Sequence, residues 1–460
     1  MKTRITLVFA ALFLSFNMSF AQQDEESMTN LTIFTDYYKS KKYDEAYEPW
    51  MKVRTKSPKF NRAIYAYGET ILKHKIDNST GAEKKAYIED LMKLYDESLQ
   101  YYPSNYSVGS IAGDKLNIMY DNKDDLKTTP KQLFEAGDKG YKDDLQNFTN
   151  PRALYIYFSS MVDMHAAGQA EIQQVFDKYD DVSDKIETEV EKVTEDLNKL
   201  VEKEDAGTKL SSKEEGYKRQ YESYLENYDK IGGSIDSKLG QLANCENLIP
   251  LYQKNFEQFK NDAVWLKRAV SRMYNKECTD DPLYTKMVKA YDETDPSADT
   301  KYFVATLLFK QNKDKEAQDY LNQSYDLQTD KFKKGKLAKR IANSLKGKGQ
   351  FGAARRYYQE ALKLNPSDGS PHLSIAGMYA SSANSCGDSN FNKRAVFWLA
   401  AQEAAKAGRV DGNLKSASSQ SVTSYNAKAP QRSEIFQEGN QGKTIQIGCW
   451  IGMSVTVPTL

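Results

Sequence analysis

The sequence lacks an excess of charge of either sign, since its 460 residues include 64 basic and 64 acidic side chains. A nucleic-acid-binding protein presents a strongly basic surface, so this balance argues against nucleic acid as the main partner. Histidine is scarce, with three residues, and none stands in an HExxH or GxSxG setting. No two carboxylates stand out as an acid–base pair. We therefore expect no enzyme activity, no catalytic residue, no cofactor and no metal site.

Beyond residues 1–21 the sequence lacks an apolar run long enough to cross a membrane. Residues 1–21 combine the basic Lys2 and Arg4, the apolar stretch Ile5–Phe16 and the small-x-small site Ser19–Ala21, which is typical of a secretory signal peptide. No cysteine follows that site, so we expect no lipoprotein anchor. The expected location is the periplasm, with secretion as the alternative, and the mature chain should have no integral membrane segment.

A helical pattern recurs along the chain and is clearest in Gly347–Pro366. Small and large apolar residues alternate there at helical spacing after a turn, and the pattern ends at a proline, which cannot continue a helix. The positions are Phe351, Ala354, Tyr358, Ala361 and Pro366. Weaker copies lie at 31–58, at 300–329 and from Ser370 onward.

Residues 335–366 closely resemble the tetratricopeptide repeat (TPR), in which ~34 residues fold as two antiparallel helices. One such pair cannot bury its apolar face alone, and at least three must stack, a number that the weaker copies supply. The resemblance implies an all-α, TPR-type helical solenoid whose concave surface binds protein or peptide segments. Gly347–Gly352 also matches the dinucleotide-binding glycine pattern, but it joins two helices and follows no strand, so we interpret it as a repeat turn.

Residues 170–243 differ from the repeats because they contain two long apolar stripes at spacings of three and four, the pattern of a coiled coil. Between the stripes, Gly207 breaks the helix, and the pairs Ser211–Glu214 and Ser212–Glu215 predict capping boxes that restart it. The first stripe is Ile172, Val175, Tyr179, Val182, Ile186, Val190, Val193, Leu197 and Leu200. The second stripe is Tyr217, Tyr221, Tyr224, Tyr228, Ile231, Ile235, Leu239 and Leu242.

Two arms that fold back at Gly207 would place Leu197 opposite Tyr217 and Val190 opposite Tyr224. We therefore predict an inserted antiparallel coiled-coil hairpin that buries its tyrosines and projects ~45 Å from the solenoid. The alternative is two long helices packed along the stack.

The end of the chain alternates between apolar and polar residues over Thr444–Val457, which predicts a short C-terminal β-hairpin that caps the stack. Residues 426–443 look loop-like, Ser381–Asn390 looks like an insertion, and Lys75–Gly81 looks like a long loop. The whole layout resembles exported Bacteroidota TPR proteins without a settled activity. The helical hairpin and the ending Ile447–Gly452 carry that resemblance.

The four cysteines allow three disulfide connectivities, and no Cys-x-x-Cys spacing supports a metal site instead. In an oxidising compartment we expect two disulfides. Cys245 and Cys278 are separated by nearly one repeat, whereas Cys386 and Cys449 lie in the last repeat and the β-tail. We predict the pairs Cys245–Cys278 and Cys386–Cys449.

These patterns divide the chain into a signal peptide (1–21), N-terminal TPR-like repeats (22–169), the coiled-coil hairpin (170–243), C-terminal TPR repeats (244–425) and a tail (426–460). Aromatic residues crowd the first repeat. Three of them are candidates for a peptide groove, although core packing is the simpler interpretation. They are Tyr37, Tyr38 and Tyr47.

Two functions fit these expectations. The first is a non-enzymatic periplasmic scaffold that mediates protein–protein interaction through the TPR groove and the helical hairpin, with protein or peptide partners in the cell envelope. The alternative is an envelope structural or cell-wall-associated protein that self-associates through the hairpin.

Overall fold

The computed structural model describes residues 25–240 and 242–459, so the predicted signal peptide lies outside the described residues. The helices of the first half are α1 (25–39), α2 (Tyr43–Lys56), α3 (Ala63–Asp77), α4 (Gly81–Tyr101), α5 (Val108–Asp121), α6 (Lys123–Leu126), α7 (Pro130–Asp143), α8 (Pro151–Ala166), α9 (Ile172–Asp205) and α10 (Ser212–Gly240). Those of the second half are α11 (Cys245–Phe259), α12 (Ala263–Asn275), α13 (Pro282–Thr294), α14 (Ala298–Lys310), α15 (Asp314–Leu327), α16 (Lys331–Gly347), α17 (Phe351–Leu364), α18 (Ser370–Cys386), α19 (Asn390–Val410), α20 (Lys415–Lys428) and α21 (Arg432–Glu438). A 3₁₀ turn (Gly412–Leu414) and the strands β1 (Thr444–Ile447) and β2 (Met453–Thr456) complete the fold.

Three of the helix pairs are joined by three-residue turns that share one hydrogen-bond pattern. In the α16–α17 turn, Gly349 has φ +73°, and the backbone N–H groups of Gly349 and Gln350 donate to the carbonyls of Lys346 and Leu345. The same two bonds close the α1–α2 and α14–α15 turns, where Lys41 and Asn312 hold the left-handed position. This pattern satisfies the last carbonyls of the first helix while it reverses the chain.

A Gly349→Ala substitution is expected to lower the free energy of unfolding by about 1 kcal/mol, because an L-residue is strained at positive φ. Gly347→Ala is the matched control: it adds the same methyl group in open space at the end of α16. That control should leave stability unchanged or raise it by up to about 1 kcal/mol. Urea denaturation measures both, and equal effects at the two sites would contradict the account.

The apolar residues of the sequence repeat are buried in the structure. In α17, Ala354, Tyr358 and Ala361 are at most 3% exposed, and they face α16. Ala317 and Ser324 of α15 are fully buried in the same way. Small side chains at these positions let the paired helices approach closely, which the sequence predicted.

Three local expectations were wrong. The segment Lys75–Gly81 is no long loop, because α3 runs to Asp77 and α4 starts at Gly81. Ser381–Asn390 is no insertion, because α18 continues to Cys386 and another three-residue turn leads into α19. Residues 426–443 include the short helix α21, whose first turn is capped by Gln431 and Glu434. Polar composition alone did not distinguish short surface helices from loops.

The contacts divide the described residues into two compact units, one that ends at Ile186 and one that begins at Glu187. The N-terminal unit has a continuous core that includes Trp50, Ile71, Leu91 and Ile111 from successive helix pairs. The finer division into repeats, hairpin and tail stays a prediction.

Within the C-terminal unit, α9 from Glu187 onward lies against the repeats. Lys336 of α16 pairs with Glu187 (2.7 Å), the backbone N–H of Ser367 donates to Asn198 (3.1 Å), and Val410 of α19 packs with Leu197. This differs from the projecting arm expected from the sequence and agrees with the alternative of helices packed along the stack. The physical reason is a second buried side of α9, which includes Thr194 and Val201.

The reversal between α9 and α10 lies where the sequence predicts it, with Gly207 at φ +81° and a capping box between Ser211 and Glu214. The facing register differs, however. Tyr217, predicted to face Leu197, is 42% exposed and Tyr224 is 43% exposed, whereas Tyr228 is buried. Tyr221 and Leu225 pack against the cluster of Leu197, Val201 and Val410 instead. The coiled coil itself stays a prediction.

The C-terminal strands form the predicted antiparallel hairpin, in which Ile445 pairs with Val455. Its connecting turn packs on the last repeats: Trp450 lies 5.5 Å from the rings of both Phe351 and Tyr379 and donates to the Ser382 hydroxyl (2.9 Å). The fold is therefore an all-α repeat fold with a small β-hairpin at its end.

Candidate functional site

The three groove candidates lie on α1 and α2 of the N-terminal unit, where they are half-buried against its core. Tyr38 stacks on Tyr67 of α3, with ring centroids 4.0 Å apart, and Tyr47 packs edge-on against Tyr87 of α4 at 5.8 Å. These contacts favour the packing interpretation. A groove role for Tyr37, Tyr38 and Tyr47 stays a prediction.

A polar cavity of about 450 Å³ lies in the N-terminal unit between α3, α4, α5 and the start of α8, and we call it the α3–α5 cavity. Helical spacing brings its walls together, since Asp114, Asn117 and Asp121 repeat at intervals of three and four along α5. Lys73 and Asp77 repeat in the same way along α3. The lining residues are Lys73, Ile76, Asp77, Lys84, Tyr95, Asp114, Asn117, Ile118, Asp121, Asn122 and Arg152.

Each cation that lines the α3–α5 cavity already has a carboxylate partner. Lys73 pairs with Glu69 of its own helix (2.6 Å). Lys84 pairs with Asp125 (2.6 Å). Arg152 donates two hydrogen bonds to Asp121, one of them 2.8 Å long. The positive charges of the lining are therefore neutralised within the protein.

Two carboxylates of the lining, Asp77 and Asp114, have no ion pair among the described residues. Burial, reinforced by the nearby Glu69 carboxylate and only partly offset by Lys73, raises the pKa of Asp114 to about 6. Tyr95 donates its hydroxyl proton to Glu69 (3.2 Å). Asp114 is half-buried, whereas Asp77 is exposed at the edge of the cavity. The cavity thus holds one half-buried and one exposed carboxylate without an ion pair.

The side-chain oxygen of Asn117 is a third free acceptor. It is inaccessible to solvent and has no hydrogen-bond partner within the part of the chain that the structure describes. A buried polar atom without a partner is costly, so the Asn117 oxygen favours a water or a ligand that donates a hydrogen bond to it.

Substituting Asp114 with asparagine is expected to raise the free energy of unfolding at pH 7 by roughly 1–2 kcal/mol. Because the folded pKa of about 6 lies above the ordinary value of 3.8, the carboxylate costs stability as the pH rises from about 4 to about 6. The difference between variant and wild type should therefore vanish below pH 4. Thermal melts from pH 3.5 to 8 measure it.

Asp96→Asn is the matched control for that substitution, because it removes the same charge from an exposed carboxylate of α4 that pairs with Lys115. A surface ion pair contributes little, so this variant should change stability by less than about 0.5 kcal/mol. A pH-independent effect of Asp114→Asn would contradict a buried, unneutralised carboxylate.

Sequence reasoning missed the α3–α5 cavity. The pattern that would have indicated it is the polar series Asp114, Asn117 and Asp121 inside a helix whose other side is apolar. That series gave no prediction, because a polar helix face is most simply explained by solvent.

A second cavity, of about 530 Å³, lies in the C-terminal unit between α16, α17 and α18. Phe351 and Met378 contribute to its lining, and Lys346 is its one charged side chain among the described residues. It offers no unpaired carboxylate. We therefore regard the α3–α5 cavity as the stronger candidate site.

The cysteines and histidines take part in structural contacts. The pairs Cys245–Cys278 and Cys386–Cys449 lie at disulfide distance, with Cα atoms 5.4 and 5.2 Å apart. His372 contacts Glu403 (2.6 Å), a partner that the sequence spacing did not indicate. Across the described residues, no cluster of three or more histidine, cysteine or acidic side chains is arranged to hold a metal ion. Within the same ranges, no helix is long and apolar enough to span a membrane.

The decisive features of the fold are the paired helices, the recurring left-handed turn and the buried small residues of α15 and α17. The fold is of the tetratricopeptide-repeat type. Among solved structures, the chain is similar to a tetratricopeptide repeat protein from Parabacteroides merdae ATCC 43184, with 10% identity over 68% of this chain and 97% of that chain and a TM-score of 0.24. Yeast Tom70 shares 11% identity over 90% of each chain, with a TM-score of 0.29.

The human IFIT1 dimer with PPP-AAAA is similar at 12% identity over 80% of this chain and 74% of that chain, with a TM-score of 0.31. No protein-family model matches the sequence, and no curated protein matches it.

Proposed function

We propose that the protein is a non-enzymatic periplasmic scaffold that holds a segment of another cell-envelope protein on its N-terminal repeats. The observation that supports this proposal is the α3–α5 cavity, whose lining leaves Asp77, Asp114 and Asn117 without partners. Stacked helix pairs present extended surfaces that suit such binding. Two cysteine pairs at disulfide distance fit an oxidising compartment.

The proposed scaffold has a second surface on α10, where Tyr217 and Tyr224 are exposed. Tyrosine is favoured at protein interfaces because it buries a large ring while its hydroxyl stays hydrogen-bonded. This surface replaces the projecting arm as the part of the helical hairpin that contacts a second partner.

Capture from a cell-envelope extract tests the scaffold proposal. The immobilised mature protein is compared with the Asp114→Asn variant and with a Tyr217→Glu, Tyr224→Glu double variant, and bound proteins are identified by mass spectrometry. A partner that wild type enriches and one of the variants loses supports the proposal. An extract that yields nothing enriched over an unrelated periplasmic protein contradicts it. Point variants are preferable to deleting the hairpin, because α9 packs on Val410 of the repeats.

The exposed tyrosines also favour a second candidate function, an envelope structural or cell-wall-associated protein that self-associates through α10. Sedimentation equilibrium distinguishes the two. Self-association predicts a concentration-dependent dimer that the Tyr217→Glu, Tyr224→Glu variant abolishes. A monomer at high concentration excludes this candidate and leaves the scaffold unaffected.

A further inference from the structure

We propose that the α3–α5 cavity binds the protonated side chain of a lysine or arginine presented by the bound protein segment. The inference rests on the proposed scaffold function and names the chemistry that one of its sites selects. Three observations carry it: the size of the cavity, the balance of its charges and the unpaired oxygen of Asn117.

The size of the cavity fits one long side chain together with some of its backbone. Its volume of about 450 Å³ lies in the range of about 300–1,000 Å³ that is usual for pockets with small ligands. Its walls come from several helices, and most of its lining residues are polar. A purely apolar side chain would strip water from these polar groups without replacing their hydrogen bonds, which is unfavourable.

The charge balance of the cavity determines whether the ligand is a cation or an anion. Lys73, Lys84 and Arg152 are each neutralised by a carboxylate of the protein. Asp77 and Asp114 lack such a partner among the described residues. An anionic ligand would have to displace an existing ion pair and would also meet two free carboxylates. A cation meets those carboxylates directly.

The oxygen of Asn117 determines the hydrogen-bonding character of the ligand. This oxygen is a buried acceptor without a donor. Ammonium and guanidinium groups only donate hydrogen bonds, with three and five N–H groups respectively. Either group can therefore donate to the Asn117 oxygen and to a carboxylate at the same time. A bare divalent ion fits less well, because no cluster of three suitable ligands occurs in the described parts of the chain.

A displayed library of random peptides, selected on the immobilised mature protein, tests the inference. Binders are expected to share a lysine or arginine at one fixed position. Replacing that residue by norleucine, which keeps the aliphatic chain and removes the charge, should weaken binding by roughly 10- to 100-fold, as expected for a lost charge-assisted hydrogen bond. Asp114→Asn should weaken the lysine peptide by a similar factor and leave the norleucine peptide unchanged.

The control variant is Asp96→Asn, which removes the same charge outside the cavity and should leave both affinities unchanged. Cadaverine, which carries the ammonium group without a peptide, distinguishes a free amine from a side chain. We expect cadaverine to compete with the peptide only at millimolar concentrations. Competition at micromolar concentrations would assign the cavity to a free amine and overturn the peptide assignment.

The remaining outcomes separate this inference from the function on which it rests. Binders that share no basic residue, or that bind wild type and Asp114→Asn equally, would overturn the cation site and leave the scaffold function standing. A selection that enriches no peptide at all would contradict both. The Asp114→Asn variant is expected to be the more stable protein, so lost binding cannot be attributed to unfolding.

Discussion

Replacing Trp50 with alanine is expected to lower the free energy of unfolding of the N-terminal unit by about 3–5 kcal/mol. The indole is fully buried, its Nε1–H donates to the carbonyl of Ile64 (2.7 Å), and the guanidinium of Arg54 lies 5.2 Å from the ring. Truncation removes this hydrogen bond and leaves a cavity in one step. Urea denaturation followed by far-UV circular dichroism measures the loss.

Trp50→Phe is the matched control because it retains an aromatic ring and removes only the hydrogen bond and part of the volume. It should cost about 1–2 kcal/mol, clearly less than alanine. Gly68 provides a converse check: a Cβ there would lie 2.6 Å from the indole, so Gly68→Ala should also destabilise. A loss below about 1 kcal/mol for Trp50→Ala would contradict its place at the centre of this core.

Removing the Cys386–Cys449 pair with a double serine substitution is expected to cost about 2–4 kcal/mol. The cross-link closes a loop with a sequence separation of 63, against 33 for Cys245–Cys278, and the longer loop restricts the unfolded chain more. It also holds the turn that contains Trp450 against α17 and α18. Thermal unfolding and limited proteolysis of the tail measure the two consequences.

The Cys245→Ser, Cys278→Ser variant is the control for that experiment. Because its loop is shorter, this variant should lose about 0.5 kcal/mol less stability than the variant without the Cys386–Cys449 pair. Its C-terminal tail should remain protected from protease. If the tail is cleaved equally in both variants, or if a reducing agent leaves the wild-type melting temperature unchanged, the disulfides do not stabilise the fold as described.

The repeats could be predicted because their pattern depends on residues that are close together in the sequence. Phe351, Ala354 and Ala361 lie within a few turns of one helix, and their spacing alone specifies which side is buried. The same holds for Gly207, for the Ser211–Glu214 box and for the alternation around Ile445. Each depends on residues that are neighbours in sequence.

The path of α9 could not be predicted from its apolar stripe. A stripe indicates that one side of a helix is buried, but α9 buries further positions, including Thr194 and Val201, against partners far away in the chain. One partner is Val410, and another is Lys336, which pairs with Glu187. Polar residues that pack against distant helices have the same sequence pattern as a solvated face, so the projecting arm was the natural but wrong expectation.

The candidate site was missed for a related reason. Asp114 and Asn117 are ordinary residues on a helix surface until α3 and α4 are placed opposite them. Whether a carboxylate is neutralised depends on which lysine each neighbouring helix supplies and on how that lysine is already paired. The aromatic cluster of Tyr37, Tyr38 and Tyr47 is, by contrast, evident in the sequence. In the structure these side chains pack against the core.

The most direct test of the scaffold account is lysine-specific crosslinking mass spectrometry on intact cells. Lys73 and Lys84 both line the α3–α5 cavity and serve as built-in reporters. The account predicts crosslinks from these two lysines to one segment of an envelope protein, and their loss in the Asp114→Asn variant but not in Asp96→Asn. Crosslinks to other proteins that avoid both lysines, or that persist in Asp114→Asn, would contradict binding at this cavity.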